Sequence, residues 1–119
     1  MIFGAGSAGL GIARQLRDAI QLESGTNEHD AASKFWLIDQ HGLLKHSLGD
    51  KVRDEIEQEF RRGEDDWGSE ENGLEEVVKK VKPTVLIGTS TQGGAFTESI
   101  VRATSLNRLI SRFGKWQAM

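Results

Sequence analysis

The chain of 119 residues contains no cysteine, which excludes a disulfide framework, a thiolate zinc site and a thiol nucleophile. It has no tyrosine and a single proline. Its longest apolar runs are about five residues, far short of the ~18–20 needed to cross a bilayer. Cations are not in excess. Fifteen Lys and Arg stand against 18 Asp and Glu, and a net charge of −3 offers no field for nucleic acid or an anionic membrane. No basic-then-apolar leader is read, so the compartment stays open. What remains is a globular composition. Hydrophobic residues at 37%, with 14 glycines in 119, come close to the usual apolar share of ~45–50%. That composition argues against disorder, and the length fits one small domain.

Met1-Ile2-Phe3 reads as the tail of a buried strand that stops at Gly4. A helix is predicted from Ala8, with Leu10, Ala13, Leu16, Ala19 and Ile20 on one face, ending at Ser24-Gly25. A short polar helical stretch is expected between Asn27 and Ser33. Phe35 to Asp39 is a continuously apolar second strand, as in a sheet covered on both faces. Gln40-His41-Gly42 turns away from it. Val52, Ile56 and Phe60 mark an amphipathic helix over Asp50 to Arg62, followed by a polar loop from Gly63 to Gly73. Leu74 to Val81 is a short helix stopped by Pro83. Thr84 to Gly88 is a third buried strand, and Thr89 to Phe96 a Gly- and Thr-rich loop. Thr97 is placed as the N-cap of a last helix running to about Asn107. Arg108 to Met119 shows no periodicity. Strands alternating with helices predict an α/β fold: a partial Rossmann-like parallel sheet of about three strands with flanking helices. A complete doubly wound sheet has about six. The organisation expected is a partial domain over 1–107 and a divergent tail over 108–119.

Gly4-Ala5-Gly6-Ser7-Ala8-Gly9 has G-x-G-x-x-G spacing between a strand and a helix, the setting that dinucleotide binding requires. The first glycine permits the tight turn. The second lets the backbone approach a pyrophosphate, and the third lets the helix pack on the strand. The helix N-terminus then presents N–H groups to the anion. The competing reading is a glycine-rich structural turn.

Asp39 closes the second strand, where a carboxylate accepts hydrogen bonds from the adenosine ribose. It lies 30 residues beyond Gly9 rather than the usual ~20, an excess that an insertion over Ser24 to Ser33 would explain. The competing reading is a solvated carboxylate. A 2′-phosphate would meet like charge at Asp39. This favours NAD over NADP, unless a cation such as Lys45 or Lys51 compensates. Gly88, Thr89 and Ser90 follow the third strand at the carboxyl edge of the sheet, where ligands bind in open α/β folds. An ordinary loop is the alternative there.

His41 and His46 lack a metal-ligand pattern, and the acidic run from Glu64 to Glu71 reads as a solvated charge run. Trp36 is assigned to the core and Trp67 to a loop anchor. No nucleophile elbow and no Walker-type phosphate loop occur.

Three blocks resemble the NAD-binding domain of malic enzymes. They are Ile2 to Ala13, Phe35 to Leu44, and Val81 to Ser90 continued by Gly93 to Glu98. The resemblance covers about residues 2–107, with Lys45 to Gly73 poorly matched. It implies an oxidoreductase of malate metabolism that uses NAD or NADP and a divalent metal, cytoplasmic or mitochondrial. It also implies that the Gly4–Gly9 turn holds the pyrophosphate, Asp39 the adenosine ribose, and Thr89 and Ser90 the nicotinamide side.

In that family the catalytic tyrosine, catalytic lysine and metal-binding carboxylates precede the glycine turn. No catalytic or metal residue can therefore be placed on this chain, and no malic enzyme activity is expected of it alone. A family Ser-Asn-Pro motif is also missing after Arg108. The first expectation is thus the dinucleotide-binding portion of a malic enzyme. The second is a free-standing nucleotide-binding or regulatory module that associates with full-length malic enzyme subunits.

Overall fold

The structure is a computed structural model that describes residues 1–4, 6–45, 48, 59–60, 67–68, 70–89, 97–103 and 108–111. The predicted helix over Asp50 to Arg62, the loop from Thr89 to Phe96, His46 and Lys51 lie wholly or almost wholly outside those residues.

The described elements are β1 (Ile2–Phe3), α1 (Ser7–Ser24), α2 (Glu28–Ala32), β2 (Leu37–Asp39), β3 (Gly42–Leu43), α3 (Leu74–Val81), β4 (Val85–Gly88), α4 (Glu98–Ala103) and β5 (Arg108–Ser111). They form a sheet ordered β3-β2-β1-β4-β5. The β1–β2, β1–β4 and β4–β5 pairs are parallel, and β3 folds back antiparallel on β2. The mainly parallel α/β sheet is the expected class.

Two strands go beyond the expected three. Gly42 adopts φ 80°, a conformation open to glycine, and turns the chain so that Asp39 pairs with Gly42 and Ile38 with Leu43. A two-residue return strand is too short to show alternation in sequence. β5 pairs with all of β4, from Val85 with Arg108 to Gly88 with Ser111. Its pairing partner lies more than twenty residues away, so no local periodicity announces it.

The predicted local signals have physical counterparts. α1 ends where Gly25 takes a left-handed φ of 69° and donates its N–H to Gln21 O at 2.9 Å. Asn27 caps α2 by accepting the Asp30 N–H at 2.8 Å. α3 occupies the predicted residues and ends on Lys82, also left-handed at φ 52°. Pro83 explains this, because its ring disfavours the right-handed helical region for the residue before it. Thr97 Oγ1 accepts from the Ile100 N–H at 3.3 Å, as an N-cap does.

Alternate strand residues feed two cores, one on each face of the sheet. Ile2, Leu37 and Ile87 join Leu10 and Ala13 of α1, with Phe35, Leu44, Leu48 and Phe60. Met1, Ile38 and Leu86 join Leu43, Val77 and Val78 of α3, and Ile100 of α4. This is a three-layer arrangement in which every central strand is covered twice. Truncating a fully buried residue such as Leu37 or Ile38 to Ala costs ~2–5 kcal/mol.

α1 departs from its predicted face. Leu16 is 39% exposed and Ala19 is exposed, whereas Arg17 is buried. Arg17 donates to Glu59 Oε2 at 2.6 Å and stacks 5.3 Å from the Phe60 ring centroid. Arg14 donates to the same carboxylate at 3.0 Å through Nε. These bonds, led by the one from Arg14, hold the Glu59 carboxyl below its ordinary pKa. They fasten the Glu59–Phe60 segment over the first core.

Candidate functional site

The carboxyl ends of β2, β1 and β4 lie side by side. Phe3 is in register with Ile38 on one side and Gly88 on the other. One residue further along, Asp39, Gly4 and Thr89 therefore share the edge. The Gly4 N–H donates to Ile38 O at 2.8 Å, and the Thr89 N–H donates to Phe3 O at 2.8 Å. β1 is the strand from which the chain first crosses to β2 and later returns to β4, so this edge is the topological switch point of the sheet.

The three glycines differ in what constrains them. Gly4 turns the chain out of β1 at φ 108°, a region that side chains rarely adopt. Gly6 precedes α1 in extended backbone, and a Cβ there would meet nothing within 4 Å. Gly9 is buried at closest approach. A Cβ on it would stand 1.9 Å from Gly4 O and 3.0 Å from Thr89 Oγ1. The third glycine is thus demanded by packing, and the second faces open space.

Thr89 completes the turn, its hydroxyl donating to Gly4 O at 2.7 Å. Sequence reasoning placed Thr89 beside a ligand and missed this bond, which joins residues 85 positions apart. α1 then begins with no acidic residue in its first turn and no side-chain cap. Nothing in that turn offsets the positive end of the 18-residue helix, and Ser7 and Ala8 there are exposed.

Asp39 is half-buried at the edge and accepts the Gln40 N–H at 3.0 Å. His41, on the turn after β2, has its Nδ1 3.6 Å from Glu71 Oε1. Lys45 does not serve as the compensating cation considered above. It is fully buried, and its ammonium is taken up by Trp67 O, Gly68 O, Glu70 O and Asn72 Oδ1. Ser90 lies outside the described residues.

Gly4, Gly6, Ser7, Ala8, Gly9, Asp39, Gly88 and Thr89 are therefore gathered at one edge. An apolar cavity of about 380 Å³, bounded by Met1, Leu16, Ile20, Trp36, Pro83 and Val85, lies by the start of β4, away from it. Among the described residues no three His, Asp or Glu converge as metal ligands, and no helix is long and apolar enough to cross a membrane. The cradle fits the pyrophosphate of a dinucleotide: an open second glycine, a packed third, and an unneutralised helix end.

The fold and this edge define a Rossmann-like dinucleotide-binding unit. A family model described as "Malic enzyme, NAD binding domain" matches residues 1–109, and the chain belongs to that family. It is 45% identical over 111 residues to the NAD-dependent malic enzyme 3 of Bacillus subtilis, covering 86% of this chain and 19% of that protein. It is 43% identical to the malolactic enzyme of Lactiplantibacillus plantarum, over 84% of this chain and 18% of that protein. It is 38% identical to the mitochondrial NAD-dependent malic enzyme of Saccharomyces cerevisiae, over 85% of this chain and 15% of that protein. The chain thus spans about a fifth or less of the length of these relatives.

Proposed function

We propose that this chain is the dinucleotide-holding portion of a malic enzyme-type oxidoreductase and that it binds NAD in preference to NADP. The observation that carries the reading is the Gly4–Gly9–Thr89 junction. The third glycine has no room for a methyl group, while the second opens to space beneath the helix end. The Gly4–Gly9 turn and the first N–H groups of α1 take the pyrophosphate. Asp39 accepts the adenosine ribose hydroxyls, and Gly88, Thr89 and Ser90 flank the nicotinamide half.

Preference for NAD follows from charge. Asp39 repels a 2′-phosphate, and Lys45 is engaged elsewhere. The relatives named for NAD support the same preference.

Bound NAD supplies the hydride acceptor in the oxidative decarboxylation of malate to pyruvate, the family reaction implied by the resemblance. The residues of this chain bind and orient that cofactor. The proton-transfer groups and the divalent metal belong to parts of the family protein that precede the glycine turn. The chain alone therefore holds NAD without turning over malate. Calorimetric titration with NAD and NADP, beside an assay with malate, NAD and manganese, tests this. Saturable binding that is tighter for NAD, with no turnover, is the expected result. Turnover, or tighter binding of NADP, overturns it.

A further inference from the structure

Lys45 lies two residues beyond β3, and its side chain has no exposure. Its ammonium donates to the main-chain carbonyls of Trp67 at 3.3 Å and Gly68 at 3.0 Å, to that of Glu70, and to Asn72 Oδ1. Asn72 is itself buried, and its amide is oriented by Nδ2, which donates to Glu76 Oε1 at 3.0 Å. That second bond leaves Oδ1 facing the lysine. Among the described residues, three N–H groups thus meet four neutral oxygens.

A buried charge is expensive unless hydrogen-bonded, and the usual compensation is an opposite charge. Here, among the described residues, the compensation comes from carbonyl and amide dipoles. Neutral oxygens replacing a hydration shell are the chemistry of a monovalent-cation site. The cage is also stiff. Gly68 sits at φ 67°, and Lys80 lies 4.2 Å over the Trp67 ring. Asn72 O accepts from the Leu43 N–H at 2.8 Å.

We propose that the carbonyls of Trp67, Gly68 and Glu70 and the side-chain oxygen of Asn72 form a monovalent-cation cage and that Lys45 fills it as a tethered cation, so that shortening the side chain opens a site for free ammonium or potassium. The unaltered chain then needs no dissolved cation to close this loop on the β2–β3 hairpin. The cage stands on its own geometry, whatever binds at the cofactor edge.

The test compares the full chain with its Lys45→Ala variant by thermal melting in ammonium, potassium and choline chlorides at equal ionic strength. The unaltered chain should melt at one temperature in all three salts. Lys45→Ala should melt roughly 5–15 °C lower in choline. It should recover about half of that loss in ammonium or potassium. Equal melting of the variant in all three salts overturns the proposal. Should Lys45→Ala not fold, the side-chain ammonium of Lys45 is observed directly by ¹⁵N-edited NMR of the unaltered chain. A slowly exchanging Nζ signal at neutral pH supports the cage, and exchange at the rate of surface lysines overturns it.

Discussion

The hydroxyl of Thr89 donates to the carbonyl of Gly4 at 2.7 Å, across the gap between two parallel strands. The same two atoms crowd Gly9: a methyl group there would collide with Gly4 O and press on Thr89 Oγ1. One hydrogen bond thus sets the shape of the turn, the packing of α1, and the start of the loop after β4. Thr89→Val keeps the bulk and removes the donor. It should lower stability by about 1 kcal/mol and weaken NAD binding, while Thr89→Ser preserves both. Urea unfolding and NAD titration of the two variants check this. Equal behaviour of Val and Ser at position 89 would show that the bond is idle.

Asp39 ends β2 half-buried, and the role proposed for it depends on its charge. Asp39→Asn retains an acceptor but loses the charge-assisted bonds to ribose. NAD affinity should fall about tenfold, or ~1.4 kcal/mol, while NADP affinity falls less. The ratio of the two Kd values is the readout. An unchanged ratio would remove Asp39 from the selection of cofactor.

Gly42 is fixed by two independent constraints, its φ of 80° and a Cβ position 2.3 Å from Asn72 O. The obstacle is backbone, which cannot rotate aside. Gly42→Ala should therefore destabilise the chain by roughly 2–4 kcal/mol, seen as a lower urea midpoint with little change in slope. A loss under ~1 kcal/mol would mean that the hairpin and the 72–73 segment shift apart readily.

The Arg14–Glu59–Arg17 cluster makes a prediction about pH. Glu59 has a folded pKa below its ordinary value, the largest cause being the hydrogen bond from Arg14. Its contribution is therefore complete above the unfolded carboxyl value of ~4.3 and is lost as pH falls through the folded one. Glu59→Gln should cost ~2 kcal/mol at pH 7. The difference from the unaltered chain should hold down to about pH 5 and shrink below about pH 4. Urea midpoints of both proteins at pH 7, 5, 4 and 3 give the comparison. A gap that is constant with pH would exclude the carboxylate as its source.

Much of this architecture is written locally. The apolar runs ending at Phe3, Asp39 and Gly88 become the three central strands because each needs only its own residues to declare a doubly buried strand. Gly25, Asn27, Pro83 and Thr97 mark element ends through their own backbone or side-chain chemistry, and each does so in the structure. The long-range features were not legible. Arg17 is a charged residue on a helix face, and its burial is made tolerable by Glu59, 42 positions away, with Glu28 and Asp18 also paired to it. Lys45 looks like a surface cation until the oxygens of 67–72 close on it. β3 and β5 depend on partners rather than on pattern. At the site, the glycine spacing was readable but the inequality of the glycines was not, since it comes from Thr89 and the Gly4 carbonyl across the sheet.

In the proposed reading, the junction of Gly4, Gly9 and Thr89 shapes a pyrophosphate cradle at the N-terminus of α1. Calorimetric titration of NAD into the chain and into its Gly9→Ala variant, with circular dichroism to confirm that both are folded, tests it most directly. Saturable one-to-one binding of NAD by the unaltered chain is the expected result. The added methyl group, placed 1.9 Å from Gly4 O, should abolish that binding. No binding by the folded unaltered chain, or equal binding by both, would contradict it.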